Sequence, residues 1–152
     1  MRIRSFSSVL LFFLLLAGCD SADDGGSGES SLPGTYDMTS LQDLSGDLAD
    51  VPNITFVAGT PTVVTVGGLQ STWTVSGALT LTGSTYSTSL TVNISVAGQQ
   101  VPQSFTENGT YSLDGSIITF IHNGEATTAT YTQSGDTLTL SDAESVIVYQ
   151  KR

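Results

Sequence analysis

The sequence predicts an all-β fold, an antiparallel up-and-down meander that most simply closes into a barrel of 8–10 strands, with a β-sandwich as the alternative. Three observations support this fold class. Residues 32–152 are rich in Thr, Val, Ile, Tyr and Phe, which favour pleated sheet. Turn signals recur at short intervals along these residues, and no long window has helical periodicity. Between the turns, apolar and polar side chains alternate with a period of two.

Residues 1–18 are predicted to be a signal peptide. Arg2 and Arg4 precede an apolar run over residues 9–17, which is the charged start and short apolar centre of a secretory signal. The run is too short to span a bilayer. It ends in Leu16-Ala17-Gly18-Cys19, which resembles the lipobox of bacterial lipoproteins. The resemblance implies cleavage before Cys19, a diacylglycerol on its thiol, and usually a further acyl chain, such as palmitate, on the new amino terminus.

Residues 19–31 are predicted to be the lipidated cysteine and a disordered acidic tether, because they offer no apolar side chain larger than alanine to bury. The lipid anchor on Cys19 is the expected contact with the membrane. Asp20-Ser21-Ala22-Asp23-Asp24 resembles the acidic signal that sends lipoproteins to the outer face of the outer membrane, whereas aspartate directly after the cysteine resembles an inner-membrane retention signal. We expect the bacterial cell envelope, at the outer membrane, with a surface-facing orientation favoured over a periplasmic one.

The charge balance excludes some functions for the rest of the chain. The sequence has 4 Lys and Arg residues against 14 Asp and Glu residues. Binding to nucleic acid needs clustered basic side chains, so no nucleic-acid partner is expected. With Cys19 as the single cysteine, a disulfide framework and a cysteine-rich zinc site are excluded as well.

The longest strand is predicted between Tyr86 and Val96, where apolar side chains at even positions alternate with Ser, Thr and Asn at odd positions. Other segments combine an aromatic residue, a glycine four positions later and a renewed alternation, which is typical of a strand followed by a tight turn. Asn-Gly pairs give the same signal. The turns predicted in these two ways are at Gly77, Gly115, Gly135, Asn108-Gly109 and Asn123-Gly124.

Residues 41–50 are the one window with helical spacing, through Leu41, Leu44 and Leu48. Its short length and Gly46 disfavour a stable helix. The window predicts either a turn of helix that plugs one end of the barrel or a loop with apolar anchors.

Two motifs resemble small bacterial lipocalin-like proteins. One is Gly34-Thr35-Tyr36-Asp37-Met38-Thr39-Ser40, where a glycine and an aromatic residue open the first strand. The other is Phe105-Thr106-Glu107-Asn108-Gly109-Thr110-Tyr111, followed by the turns at Gly115 and Gly135. The resemblance covers nearly all of residues 32–152 and implies a barrel domain that can enclose one small ligand.

Two functions remain open at this stage. The first is an envelope lipoprotein whose barrel binds a small apolar ligand, neutral or cationic because no Lys or Arg is expected among the inward-facing residues. The second is a non-enzymatic structural or interaction lipoprotein with a filled core, which acts through its acidic outer surface. For the first function, the candidate ligand-binding residues are Tyr36, Trp73, Phe105, Tyr111, Phe120 and Tyr131.

Catalysis has little support in the sequence. His122 is the single histidine and precedes a predicted turn at Asn123-Gly124, and there is no Gly-x-Ser-x-Gly motif. We therefore expect no enzymatic activity, no catalytic residues, no metal site and no cofactor.

Overall fold

The computed structural model describes residues 32–152, which form ten antiparallel strands joined in sequence order. The predicted signal peptide, Cys19 and the acidic tether lie outside the described residues. The strands are β1 (Gly34–Asp43), β2 (Ile54–Val57), β3 (Thr62–Val66), β4 (Leu69–Thr82), β5 (Thr85–Val96), β6 (Gln99–Asp114), β7 (Ile117–His122), β8 (Glu125–Ser134), β9 (Thr137–Ser141) and β10 (Ser145–Lys151).

Eight of these strands close into a barrel. β4 to β10 each pair with the next strand, β10 pairs with β1, and the first half of β1 pairs back onto β4 through Gly34–Leu81 and Asp37–Ala78. The prediction of an all-β, up-and-down closed barrel is confirmed. The sandwich alternative is not adopted, because the β1–β4 pairing closes the eight strands into one barrel.

The short strands β2 and β3 fill the gap where the second half of β1 diverges from the first half of β4. β2 pairs with β1 through Leu41–Phe56, and β3 pairs with β4 through Thr62–Trp73. The Phe56 and Trp73 rings lie 6.1 Å apart between their centroids. The two rings are part of an apolar cluster at the side of the barrel.

One end of the barrel, which we call the closed end, is filled by side chains. The β4–β5, β6–β7 and β8–β9 turns lie there. Leu32, Leu81, Ile118 and Leu138 are almost fully buried. The Tyr36 hydroxyl donates a hydrogen bond to the Leu32 carbonyl oxygen at 2.6 Å. The described chain therefore enters the domain at the closed end, and its first residue helps to plug it.

The turn predictions were right at three positions and wrong at two. Gly115, Gly135 and the Asn123-Gly124 pair lie in turns and have positive φ. Gly77 and the Asn108-Gly109 pair instead lie inside β4 and β6. A Cβ on Gly77 would lie 2.7 Å from the Ser89 carbonyl oxygen, so this glycine permits a close approach of two strands rather than a turn.

Gly109 has the same role as Gly77, since a Cβ there would collide with the carbonyl oxygen of Ile121.

The turn between β5 and β6 lies at Ala97-Gly98, where both residues have positive φ. A non-glycine residue at positive φ is uncommon, which is why the sequence did not signal this turn.

The window over residues 41–50 is not a helix. Its first residues complete β1, and the remainder is a loop in which Leu48 and Ala49 are buried. The loop-with-anchors alternative is therefore confirmed. Residues 32–152 contain no helix long and apolar enough to cross a membrane.

Candidate functional site: the barrel cavity

A cavity of about 670 Å³ occupies the barrel between its filled closed end and the opposite end, which we call the mouth. The mouth lies beside the loop after β1, the β7–β8 turn and the β9–β10 turn, and its lining residues Ser45, Glu125 and Asp142 are exposed. Protein interiors are close-packed, with few voids larger than a water molecule. A space of this size is therefore a structural feature of the barrel rather than a packing defect.

The deep wall of the cavity is apolar and aromatic. Alternate residues of each strand point inward, as the pleat of a strand requires. The Tyr86 and Phe120 rings pack edge to face, with 4.7 Å between their centroids. The apolar and aromatic lining residues are Met38, Leu41, Leu48, Leu79, Tyr86, Leu90, Phe105, Phe120, Ala129, Leu140, Ile147 and Tyr149.

The mouth is acidic. No Lys or Arg lines the cavity, although one histidine, His122, does. The lining carboxylates are Asp43, Glu107, Glu125, Asp142 and Glu144. They come from four separate places in the sequence, since Asp142 and Glu144 share one turn, and they surround one opening only because the barrel closes.

Glu107 is held by a hydrogen bond from the Tyr86 hydroxyl across the β5–β6 pair. Burial, followed by the hydrogen bond and charge of Glu107, raises the pKa of Tyr86 well above its usual value. The phenol therefore stays protonated and keeps donating to the carboxylate. This arrangement fixes a negative charge directly beside the aromatic wall.

Asp43 is buried at the end of β1, with 4 % of its surface exposed. Its side chain faces inward because the β1–β10 register shifts between Met38 and Ser40, which reverses the inward-outward alternation. The carboxylate accepts hydrogen bonds from the backbone N–H of Gly46 at 2.8 Å and of Leu48 at 2.9 Å, and from the Ser45 hydroxyl at 3.0 Å. Asp43 thereby positions the loop that places Leu48 over the cavity.

Asp142 and Glu144 lie in the β9–β10 turn. The Asp142 carboxylate accepts hydrogen bonds from the backbone N–H groups of Glu144 at 2.8 Å and Ser145 at 2.7 Å. Burial, and then the negative charges of Asp142, Asp47 and Asp43, raise the pKa of Glu144. After burial, three neighbouring carboxylates thus act on Glu144 in the same direction.

His122 ends β7 at the mouth and is half-buried. Its Nδ1 donates to the Asn108 carbonyl oxygen at 2.7 Å, and its Nε2 accepts from the Asn123 side-chain amide at 2.8 Å. A carbonyl oxygen only accepts, so Nδ1 carries the proton of this hydrogen bond. Both ring nitrogens are therefore engaged by neighbouring groups.

The six ligand-binding candidates from the sequence lie in different places. Phe105 and Phe120 line the cavity. Tyr36 and Tyr111 belong to the apolar core, Tyr131 packs against that core, and Trp73 packs against Phe56. None of these last four is among the cavity-lining residues.

Neither Tyr86 nor any of the five carboxylates was among the ligand-binding residues predicted from the sequence. A signal existed for Glu107, because the inward positions of β6 include Phe105 and Tyr111, with which Glu107 is in phase. The turn predicted at Asn108-Gly109 interrupted that phase. No comparable signal existed for Asp43, whose inward direction depends on the irregularity in β1.

Comparisons with known proteins give no relative for this chain. No protein-family model matches it, and neither the curated proteins nor the solved structures yield a match. The small closed barrel of eight antiparallel strands is compatible with the lipocalin-like resemblance noted above. The function of this chain therefore has to be inferred from its cavity, because a fold alone does not determine a function.

Proposed function

We propose that this protein is a lipid-anchored binding protein of a bacterial cell envelope, and that its lipocalin-like barrel holds a small apolar ligand. The observation that carries the proposal is the cavity of about 670 Å³, with an apolar and aromatic wall and one open end. Ligand sites in proteins typically occupy about 300–1,000 Å³ and are lined in this way. Barrels of eight strands can hold one small ligand.

The anchoring part of the proposal is supported by the sequence alone. The apolar run and Leu16-Ala17-Gly18-Cys19 resemble a lipoprotein signal, and Cys19 is the single thiol of the chain. Two acyl chains are enough for stable anchoring without a membrane span. We favour the outer membrane, with the domain on the surface side, because of the acidic residues after Cys19.

A binding role is favoured over a catalytic one. His122 is the single imidazole of the sequence, and both of its ring nitrogens are occupied by hydrogen bonds. A general base needs a free nitrogen that can reach the substrate. The mouth carboxylates surround the opening of an apolar space, and we interpret them as binding groups.

The test is native mass spectrometry of the full chain recovered from the envelope of its own host. We expect a stoichiometric adduct of a few hundred daltons that is lost on unfolding, which separates it from covalently attached acyl chains. Ala129→Phe should strongly reduce the adduct, because Ala129 is half-buried in the cavity wall and the added ring would take up part of the space.

Ala126→Phe is the matched control, since Ala126 lies on the same strand, is exposed and does not line the cavity. This control should keep the adduct. An adduct that survives Ala129→Phe undiminished would contradict the cavity as the binding site. A clean mass for the unmodified chain, together with no binding of a neutral apolar probe such as N-phenyl-1-naphthylamine, would instead favour the filled-core alternative that acts through the outer surface.

A further inference from the structure

We propose that the ligand of this cavity is an amphiphilic organic cation, whose apolar part lies against the aromatic wall and whose ammonium group lies among the carboxylates of the mouth. The inference rests on the proposed function, namely that the cavity binds a ligand. The cavity gives the position of the site, and the side chains that line it indicate the chemical class of the ligand.

The distribution of charge along the barrel is one-sided. Five carboxylates line the cavity, and no lysine or arginine does. The two basic residues of the described chain, Lys151 and Arg152, follow each other at the closed end. Arg152 forms a two-point ion pair with Asp37, with N–O distances of 2.5 and 2.8 Å. The negative charge at the mouth is therefore left for a ligand to neutralise.

The carboxylates at the mouth repel one another. The pKa of Glu144 is raised by its burial and by the charges of Asp142, Asp47 and Asp43, as described above. Asp43 is buried with hydrogen bonds from two backbone N–H groups and one hydroxyl. A cation at the mouth would relieve this repulsion, whereas a fatty-acid carboxylate would increase it.

The rings beside Glu107 favour an ammonium head group as well, while the remaining apolar wall is left for the hydrocarbon part. The rings of Tyr86, Phe105 and Phe120 line the cavity together with the carboxylate of Glu107. Ammonium groups are attracted to the faces of aromatic rings, and the attraction grows when water is excluded. The Tyr86 hydroxyl holds the Glu107 carboxylate in place, so that the charge and the rings are presented side by side.

The arrangement fits an organic cation better than a bare metal ion. Among residues 32–152, no group of three or more His, Cys, Asp or Glu side chains is gathered closely enough to hold a metal. The carboxylates are instead spread around an opening that leads to an apolar space. An amphiphile with an ammonium head and a hydrocarbon tail contacts both parts.

The test compares three probes with the same hydrocarbon tail and different charges: decyltrimethylammonium, decanol and decanoate. Their affinities for the full chain carrying Cys19→Ser are measured by equilibrium dialysis at low salt. We expect the cation to bind about tenfold more tightly than decanol, because several partly exposed charges each contribute a few-fold. Decanoate should bind most weakly, and added salt should reduce the difference between the cation and decanol.

The double variant Glu125→Gln/Glu144→Gln removes two charges from the mouth. It should reduce the preference for the cation over decanol several-fold. The matched control is Asp114→Asn/Asp136→Asn, which changes the net charge equally at two exposed positions of the closed end. This control should keep the preference.

The outcomes separate this inference from the proposed function. If decanol binds, and the cation binds no better or loses its preference equally in the control, the cationic ligand is wrong and the apolar binding site stands. If none of the three probes binds the unmodified cavity, the proposed function itself is wrong. Binding of the cation that persists undiminished in Ala129→Phe would place it outside the cavity and would also overturn the inference.

Discussion

His122 donates a hydrogen bond through Nδ1 to the backbone carbonyl of Asn108, 2.7 Å away, at the point where β6 continues past the end of β7. The last paired residues of these two strands are Thr110 and Ile121. The imidazole therefore donates to a carbonyl oxygen of β6 that lies beyond the paired residues of β7. This single contact ties the wall of the cavity to the β7–β8 turn at its mouth.

We expect His122→Ala to lower the free energy of unfolding by about 1 kcal/mol, the usual net value of one such hydrogen bond. His122→Asn should recover part of the loss, because its amide nitrogen can take the place of Nδ1. Urea denaturation followed by circular dichroism gives both values. Equal stability of His122→Ala and the unmodified chain would show that solvent replaces the contact without cost.

Glycine is required at position 109 for close packing and at position 115 for a turn, and the two requirements differ in strength. A Cβ on Gly109 would collide with backbone of β7, whereas a Cβ on Gly115 would meet nothing within 4 Å. We expect Gly115→Ala to cost about 1 kcal/mol for its positive φ. Gly109→Ala should cost several-fold more or prevent folding. Thermal denaturation of the two variants measures this difference in stability. Equal melting temperatures would contradict the stricter requirement at position 109.

Buried tyrosines should make the fold sensitive to alkali. Burial raises the pKa of Tyr149 to about 12, against a weaker opposing effect of its hydrogen bond with Thr88. The unfolded chain thus loses this proton first, near pH 10, and stability falls as the pH rises from 10 to 12. The loss due to Tyr149 is about 3 kcal/mol at its maximum.

Tyr149→Phe should make this alkaline loss smaller, and denaturation series at pH 8 and pH 11 give the comparison. Part of the loss will remain in the variant, because burial also raises the pKa of Tyr36, Tyr86 and Tyr111. An unchanged pH dependence in Tyr149→Phe would contradict the assignment.

Removing one mouth charge should stabilise the empty domain. The folded-state pKa of Glu144 is raised, so its ionised form disfavours folding at neutral pH and the penalty disappears as the pH falls through that raised value. We expect Glu144→Gln to have a higher melting temperature than the unmodified chain at pH 7, and the difference to vanish toward pH 4. A lower melting temperature at pH 7 would show that the charge has a stabilising partner.

Attachment to the membrane should depend on one sulfur atom. Cys19→Ser removes the thiol that the proposed diacylglycerol would occupy, and we expect the protein to move from the membrane fraction to the soluble fraction. Labelling with radioactive palmitate should be lost at the same time. Continued sedimentation with membranes would contradict the lipoprotein proposal, and so would labelling that survives the substitution.

The alternation in β5 and the turns at Gly115 and Gly135 could be predicted because local physics determines them: a pleat has a period of two, and tight turns need positive φ. Gly77 and Gly109 fit the same sequence patterns but serve close approaches between strands, and no local signal separates these two uses of glycine. The apolar even-numbered positions predicted for β5 include Tyr86, Leu90 and Val92, which lie in the core or the cavity wall.

The acidic mouth was beyond local sequence reasoning. Asp43 faces inward only because of the irregularity after Met38, and Asp142 and Glu144 meet it only because β10 lies beside β1. Sequence patterns describe each strand by itself, whereas a mouth is formed by the ends of strands that are distant in the chain. The presence of an apolar core could be predicted, but the empty space within it depends on how the barrel closes.

The chain enters the barrel at the end opposite the mouth, with Leu32 seated against Tyr36. If Cys19 carries the proposed lipid, residues 20–31 connect it to the closed end of the barrel and could reach about 40 Å at full extension. The opening then lies at the end of the barrel farthest from the point where the tether attaches. Cargo would therefore enter and leave at the end that does not carry the proposed membrane attachment.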